Sequence, residues 1–259
     1  MEQTVKENNI TTGVIWKQLL IFFFPILIGT FFQQLYNTVD TIVVGQYVGT
    51  QALAAVGTTG TMINLLVGFF VGVSSGATVI ISQFFGAGDA KNVSRAVHTS
   101  MALALVGGLI ITVLGLLTAR PSLVMLGVPE EILGDALTYM NVYYAGIIAC
   151  MIYNVGTGVL RAIGDSRMPL YVLIVCCLVN IVLDLLFVVG FHWGVFGVAI
   201  ATALSQVVSA VLIMLRLMLT RESYRVELKK IRFDRSILKN VIRIGLPAGM
   251  QSVLYSVSN

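Results

Sequence analysis

The stretch LLIFFFPILIGTFFQQLYNTVDTIVV, residues 19–44, decides the fold class of this chain. Its first half, up to Thr30, holds no charged or amide side chain. At 1.5 Å per residue, about 20 such residues cross the ~30 Å hydrocarbon layer of a bilayer as a helix. A barrel strand would instead alternate apolar and polar side chains over ~10 residues. The run is therefore a membrane helix. Two of its residues do not belong to a plain lipid anchor. Pro25 removes one backbone hydrogen bond from the helix interior and permits a kink. Asp40 places a carboxylate at membrane depth, where a charge costs a few kcal/mol and is rarely present for stability alone.

The rest of the chain has the same character. Of 259 residues, 57% are hydrophobic and 11% charged, with a mean hydropathy of +0.92. A soluble domain carries roughly 25% charged residues. The fold class is all-α, a polytopic membrane protein. Helices are expected at about 16–46, 52–84, 93–118, 132–160, 168–190 and 194–219, with a seventh beginning near 237. The N-terminal segment is polar, and no small-residue cleavage site follows the first apolar run at 18–32. That run is expected to be a retained first helix and not a signal peptide.

The basic residues give the orientation. Fifteen of the sixteen Lys and Arg fall in the N-terminal segment up to Lys17, the 85–95 loop, the 161–167 loop and the 216–243 segment, which share one side. Only Arg120 lies on the other side, near Glu130, Glu131 and Asp135. The positive-inside rule then puts the N-terminus in the cytoplasm of a multi-pass cell-membrane protein.

One strongly charged stretch, RESYRVELKKIRFDRSILK at 221–239, separates the sixth helix from the seventh. It reads as a solvated linker or as an amphipathic helix on anionic lipid, and the linker is favoured. After it, VIRIGLPAGMQSVLYSVSN at 241–259 repeats the pattern of LLIFFFPILIGTFFQQLYN at 19–37: aligning Pro25 with Pro247 brings Asn37 onto Asn259. The expected organisation is a six-helix bundle over 1–220, a cytoplasmic linker over 221–236 and the start of a second repeat over 237–259. Transporters are commonly built from two such halves. The chain is expected to be one half of a larger protein and to need the other half as its partner.

Counting helical rise gives a common depth for several polar side chains. Asp40 lies ~12 Å from the outer end of its helix and Asp184, the other lone carboxylate, ~9 Å from the end of helix 5. Tyr139 on helix 4 and Thr202 on helix 6 fall at ~10 and ~12 Å. Asn180 precedes Asp184 by one helical turn and shares its face. Gln33, Asn37 and Asp40 form a polar stripe on helix 1, with Tyr36 on the same half. Thr202, Gln206 and Ser209 repeat the pattern on helix 6. Such stripes face the bundle or a watery cavity, not lipid. Gln33, Tyr36, Asn37 and Gln206 are expected to line that cavity. For hydroxyl and amide side chains alone, plain interhelical hydrogen bonding suffices. The two carboxylates point further, to an ion or proton path. Two carboxylates brought together out of water repel each other, and a proton or cation between them relieves that. Carboxylates with an amide oxygen and a hydroxyl also make a hard oxygen site for Na⁺. The residues leave H⁺ and Na⁺ both open.

Other chemistry is not indicated. Cys150, Cys176 and Cys177 lie in apolar segments with no metal spacing, and His98 and His192 are isolated. G-x-x-x-x-G-K-[ST] is absent, so nothing points to ATP hydrolysis. No catalytic triad or nucleic-acid signature is present, and no enzyme or organic cofactor is expected. Two loops, FFGAGDAKNVSRA at 84–96 and LRAIGDSRMPL at 160–170, each place Gly-Asp at a helix end, which reads as helix capping.

QQLYNTVDTIVVGQYVGTQALAAVG at 33–57, QFFGAGDAKNVSRA at 83–96, LRAIGDSRMP at 160–169 and NIVLDLLFVVG at 180–190 resemble the N-terminal half of the multidrug and toxic compound extrusion (MATE) family. The resemblance covers the whole chain. It implies the N-lobe of a twelve-helix antiporter that exports amphipathic or cationic compounds against inward H⁺ or Na⁺. By motif it assigns cation coupling to Asp40, Asn180, Asp184 and Thr202, with Tyr139 nearby. Those four are the only residues expected to hold a metal ion, Na⁺. Pro25 is the expected hinge of helix 1. A flippase for lipid-linked sugars, of the same superfamily, and a non-transporting membrane half-subunit are the alternatives. The flippase should carry a basic cavity, whereas the mid-membrane charges here are acidic.

Overall fold

The structure is a computed structural model that describes residues 15–258. The polar N-terminal segment, Lys6 and Asn259 lie outside the described residues. Among those described there are seven long helices and no strand. Helix α1 spans Ile15–Val43, α2 Thr50–Gly86, α3 Ala90–Met125, α4 Glu130–Ala162, α5 Arg167–Asp184, α6 Gly194–Leu219 and α7 Arg235–Ser258. Helices α2, α3, α4 and α6, and α5 taken with the turn that extends it to Gly190, are long and apolar enough to cross a membrane.

Helices α2, α3, α4 and α6 make the centre, with α1 and α5 on one flank and α7 on the far side of α2. Lipid is as apolar as leucine, so helices in a bilayer associate through close packing at small residues and not through a hydrophobic drive. The glycines show this directly. A Cβ on Gly115 of α3 would strike the Tyr144 ring of α4 at 2.6 Å. The Thr112 hydroxyl donates to the Tyr144 carbonyl at 3.0 Å across the same seam. Ile147, Met151 and Leu160 of α4 and Ile213 and Leu217 of α6 are fully buried in the same core.

The α2–α7 crossing is the tightest. Gly72 and Gly76 of α2 face Gly245 and Gly249 of α7, one helical turn apart on each helix. A Cβ on Gly72 would lie 2.5 Å from Gly249 Cα, and one on Gly76 would lie 2.6 Å from the Gly245 nitrogen. Only hydrogen fits at these positions. Further along, a Cβ on Gly68 would lie 3.8 Å from Ser252 Cβ, the usual Cβ separation across a disulfide. The pair Gly68→Cys/Ser252→Cys should therefore cross-link on mild oxidation. Adding Gly245→Val, whose Cβ meets the Val73 carbonyl, should abolish the cross-link. Undiminished cross-linking would show that α7 does not depend on this backbone approach.

The two Gly-Asp loops have one geometry. Gly88 and Gly164 take left-handed backbone at φ +72° and +89°. In each loop the glycine N–H and the next N–H turn back onto the last carbonyls of the preceding helix: Gly88 to Phe85 and Asp89 to Phe84, Gly164 to Arg161 and Asp165 to Leu160. Each aspartate then caps the following helix, Asp89 accepting from Asn92 N at 3.1 Å and Asp165 from Met168 N at 3.0 Å. Caps of this kind are worth ~1 kcal/mol.

Two readings of the sequence need correction. Helix α3 is longer than 93–118: Asp89 starts it at Ala90, and it runs through Pro121 to Met125. The proline sits in the final turns, where only the Leu117 carbonyl loses its helical donor. The charged stretch is neither a free linker nor an amphipathic α-helix. It is an extended strap, with one 3₁₀ turn at Leu228–Lys230, docked on the start of α3. Glu227 N–H donates to His98 Nε2 at 3.0 Å, and Asp234 N–H to Thr99 Oγ1 at 3.2 Å. Asp234 pairs with Arg95, and Val226 is buried. The Ile237 N–H, with Arg95 beside it, holds the Asp234 carboxyl below the usual carboxylate range. Asp165 of the α4–α5 loop meets Arg216 at the end of α6, 4.0 Å apart.

Candidate functional site

Helices α1 and α5, which carry the two carboxylates, pack against each other, with Gly29 of α1 against Leu173 of α5. Both change pitch next to the carboxylate. Helix α1 widens into a π-helical turn at Val44–Val48, one turn past Asp40. Helix α5 does the same at Leu185–Gly190, immediately after Asp184. The two wide turns touch each other. Single π turns inside helices recur at functional sites because the extra residue re-aims side chains. Phe187 in the second turn and Phe191, Trp193 and Phe196 after it form an aromatic cluster, with Phe187 and Trp193 stacked at 5.1 Å between ring centres.

Asp40 sits beside Asp184 and Asn180. Tyr139 faces both carboxylates and Thr202, and Tyr36 lies against Thr202, Asp40 and Tyr139. Five of the residues singled out by depth and face thus converge from α1, α4, α5 and α6. Asn180 and Asp184 are fully buried, Thr202 is 3% exposed, and Asp40 is half-buried on the open side. Tyr143 stacks on Tyr139 with ring centres 6.3 Å apart.

The polar atoms of this cluster lack partners. Asp40 Oδ1, both side-chain polar atoms of Asn180, both carboxylate oxygens of Asp184, Thr202 Oγ1 and Gln206 Oε1 are buried without a hydrogen bond among the described residues. No Lys, Arg or His lies beside either carboxylate among those residues. Buried polar groups are otherwise almost always satisfied, and an unpaired buried charge costs several kcal/mol. The neighbouring hydroxyls behave differently. Ser205 donates to the Thr202 carbonyl at 2.8 Å and Ser209 to the Ser205 carbonyl at 2.9 Å. Along one helix, then, the structure separates hydroxyls satisfied by their own backbone from Thr202, which lies against Tyr36 and Tyr139 in the cluster, and from the buried, unpartnered Gln206 Oε1 one turn further on. Two carboxylates, an amide oxygen and a hydroxyl form a hard oxygen set that suits a proton or a small cation.

Gln33 and Asn37 are exposed, and Asn37 Nδ2 reaches Gln34 Oε1 at 3.5 Å. Among the described contacts nothing joins them to the cluster. Pro25 is half-buried within a continuous α1. Sequence reasoning missed Tyr143 and Cys176. The four-residue spacing of Tyr139 and Tyr143 was available as a signal. Cys176, whose thiol donates to the Ser205 carbonyl at 3.3 Å, carried none.

The family model MatE matches residues 25–186, which include both carboxylates. This chain belongs to the MATE family. The probable multidrug resistance protein YoeA of Bacillus subtilis is 27% identical over 94% of this MATE chain and 54% of its own length. A multidrug resistance MATE transporter solved in an outward-facing conformation superposes with a TM-score of 0.91 at 31% identity, covering 99% of this chain and 57% of the other. An inward-facing MATE structure gives 0.80 over 87% of this chain and 51% of the other. The MATE chain described here spans about half the length of the curated relatives it matches.

Proposed function

We propose that this chain is the N-terminal half of a cation-coupled exporter of amphipathic or cationic compounds. The observation that carries the reading is the set of buried, unpartnered oxygens shared by Asp40, Asn180, Asp184 and Thr202. A site that leaves two carboxylates without a counter-charge is stable only with a guest, and H⁺ or Na⁺ is the guest such oxygens accept. Binding would remove the repulsion between Asp40 and Asp184 and draw α1 toward α5. Helix α1 is suited to move, since α5 is its chief neighbour and Pro25 already weakens its backbone ladder. Amphipathic or cationic drug would then be displaced from the cavity beside α1. The known relatives named as multidrug resistance proteins support drugs as the cargo. The basic end, where the strap and the Gly-Asp loops lie, would face the cytoplasm of a cell-membrane protein.

The test is dye efflux from liposomes holding the transporter that contains this sequence. An imposed inward proton or sodium gradient should drive a cationic dye out, with the loss of the gradient stopping it. Dye movement that ignores both gradients would overturn the reading.

A further inference from the structure

The pocket at the basic end has no part in the coupling site. It lies between the first turns of α3 and the strap and has a volume of about 240 Å³. Arg95, His98, Lys229, Lys230, Arg232 and Asp234 contribute to its walls. Charge is unbalanced here. Arg95 pairs with Asp234, and Lys230 pairs with Glu227 at 2.7 Å. Among the described residues Lys229 and Arg232 have no carboxylate partner. His98 is not a ligand group: Nδ1 lies 2.6 Å from the Ser94 carbonyl and so carries the proton, and Nε2 accepts from Glu227 N–H. It fixes the strap in place and leaves the cations to face the pocket.

Exposed apolar side chains adjoin these cations in the strap. Leu228, next to Lys229, is 60% exposed, and Phe233, next to Arg232, is 44% exposed. Beyond them Leu105 and Leu109 on α3 and Ile242 and Leu246 on α7 are exposed along the membrane-spanning length. Free cations at the end of a membrane bundle, bounded by exposed leucine and phenylalanine, match a molecule with an anionic head and an acyl body.

We propose that this pocket binds the phosphate-bearing headgroup of an anionic phospholipid, with Lys229 and Arg232 on the phosphate and Leu228 and Phe233 against the acyl chains. The site is built only when the strap is docked. A bound lipid would therefore hold the connection between α6 and α7 in its docked form.

Native mass spectrometry of the purified 259-residue chain in a neutral detergent, with phosphatidylglycerol or phosphatidylcholine added, tests this. Phosphatidylglycerol should be retained at least ~10-fold better than phosphatidylcholine, and K229Q/R232Q should weaken that retention ~30-fold, each lost cation contributing a factor of about five. K229R/R232K should retain lipid as the unmodified chain does, which separates charge loss from misfolding. R221Q/K239Q, with the same charge loss outside the pocket, should bind normally. Equal retention of the two lipids, or equal weakening by R221Q/K239Q, overturns the proposal. Displacement of phosphatidylglycerol by millimolar inorganic phosphate would make the pocket a free-phosphate site and overturn the lipid assignment.

Discussion

Asp184→Asn is expected to abolish cation binding by this chain, and Asp40→Asn to weaken it at least ~100-fold, about 3 kcal/mol. Asp184 is fully buried and contributes two unpartnered oxygens, whereas Asp40 contributes one and is half-buried. Removing either charge leaves a single buried carboxylate to hold the cation with neutral oxygens. Thr202→Val should cost only about 1 kcal/mol, because it removes one neutral ligand. A native reporter adjoins the turn that follows Asp184. Trp193 stacks on Phe187, which lies in the π turn directly after Asp184. The chain has only two tryptophans, so Trp16→Phe leaves Trp193 alone. Its fluorescence should change on adding sodium at fixed pH, or on lowering pH without sodium. Which titration gives the response identifies the coupling ion. An Asp184→Asn variant that responds like the unmodified chain would remove the carboxylates from the site.

The convergence of Asp40, Asn180, Asp184 and Thr202 was legible because both of its causes are local. Helical rise sets the depth of a side chain and helical spacing sets its face, and both can be counted along a single segment. The α1 and α5 boundaries near the site were less legible. Val44–Val48 and Leu185–Gly190 are apolar runs that look like regular helix, and the wide turns appear only where the two segments press on each other. The strap was not legible either. Its charges suggested solvent, but its position depends on His98 and Thr99, more than a hundred residues earlier. The same distance hid the α2–α7 crossing. Gly72, Gly76, Gly245 and Gly249 are unremarked small residues in sequence, and only their meeting shows why a side chain is excluded. The bounds of α6 fared better: its expected start and end at 194 and 219 are those of the structure, though its start carries no side-chain cap.

The 259-residue chain reconstituted alone is expected to bind cation and to move no drug against a gradient. Alternating access in two-repeat transporters needs one bundle to rock against another around a central path. This chain supplies one bundle and α7, and it spans about half the length of its curated relatives. Among the described residues α1 and α7 present exposed apolar side chains: Phe23, Phe24 and Phe31 on α1, and Leu246, Met250 and Leu254 on α7, are all more than 40% exposed. The proposed cation site, by contrast, draws its residues from α1, α4, α5 and α6. The two properties should therefore separate. Liposomes holding only this chain should show the Trp193 response to cation while a cationic dye stays evenly distributed under an imposed proton or sodium gradient. The fluorescence response certifies that the chain is folded, so absence of dye movement cannot be put down to damaged protein. Concentrative dye efflux that stops when the gradient is collapsed would mean that one bundle suffices, for example by pairing with a second copy of itself through the exposed faces of α1 and α7.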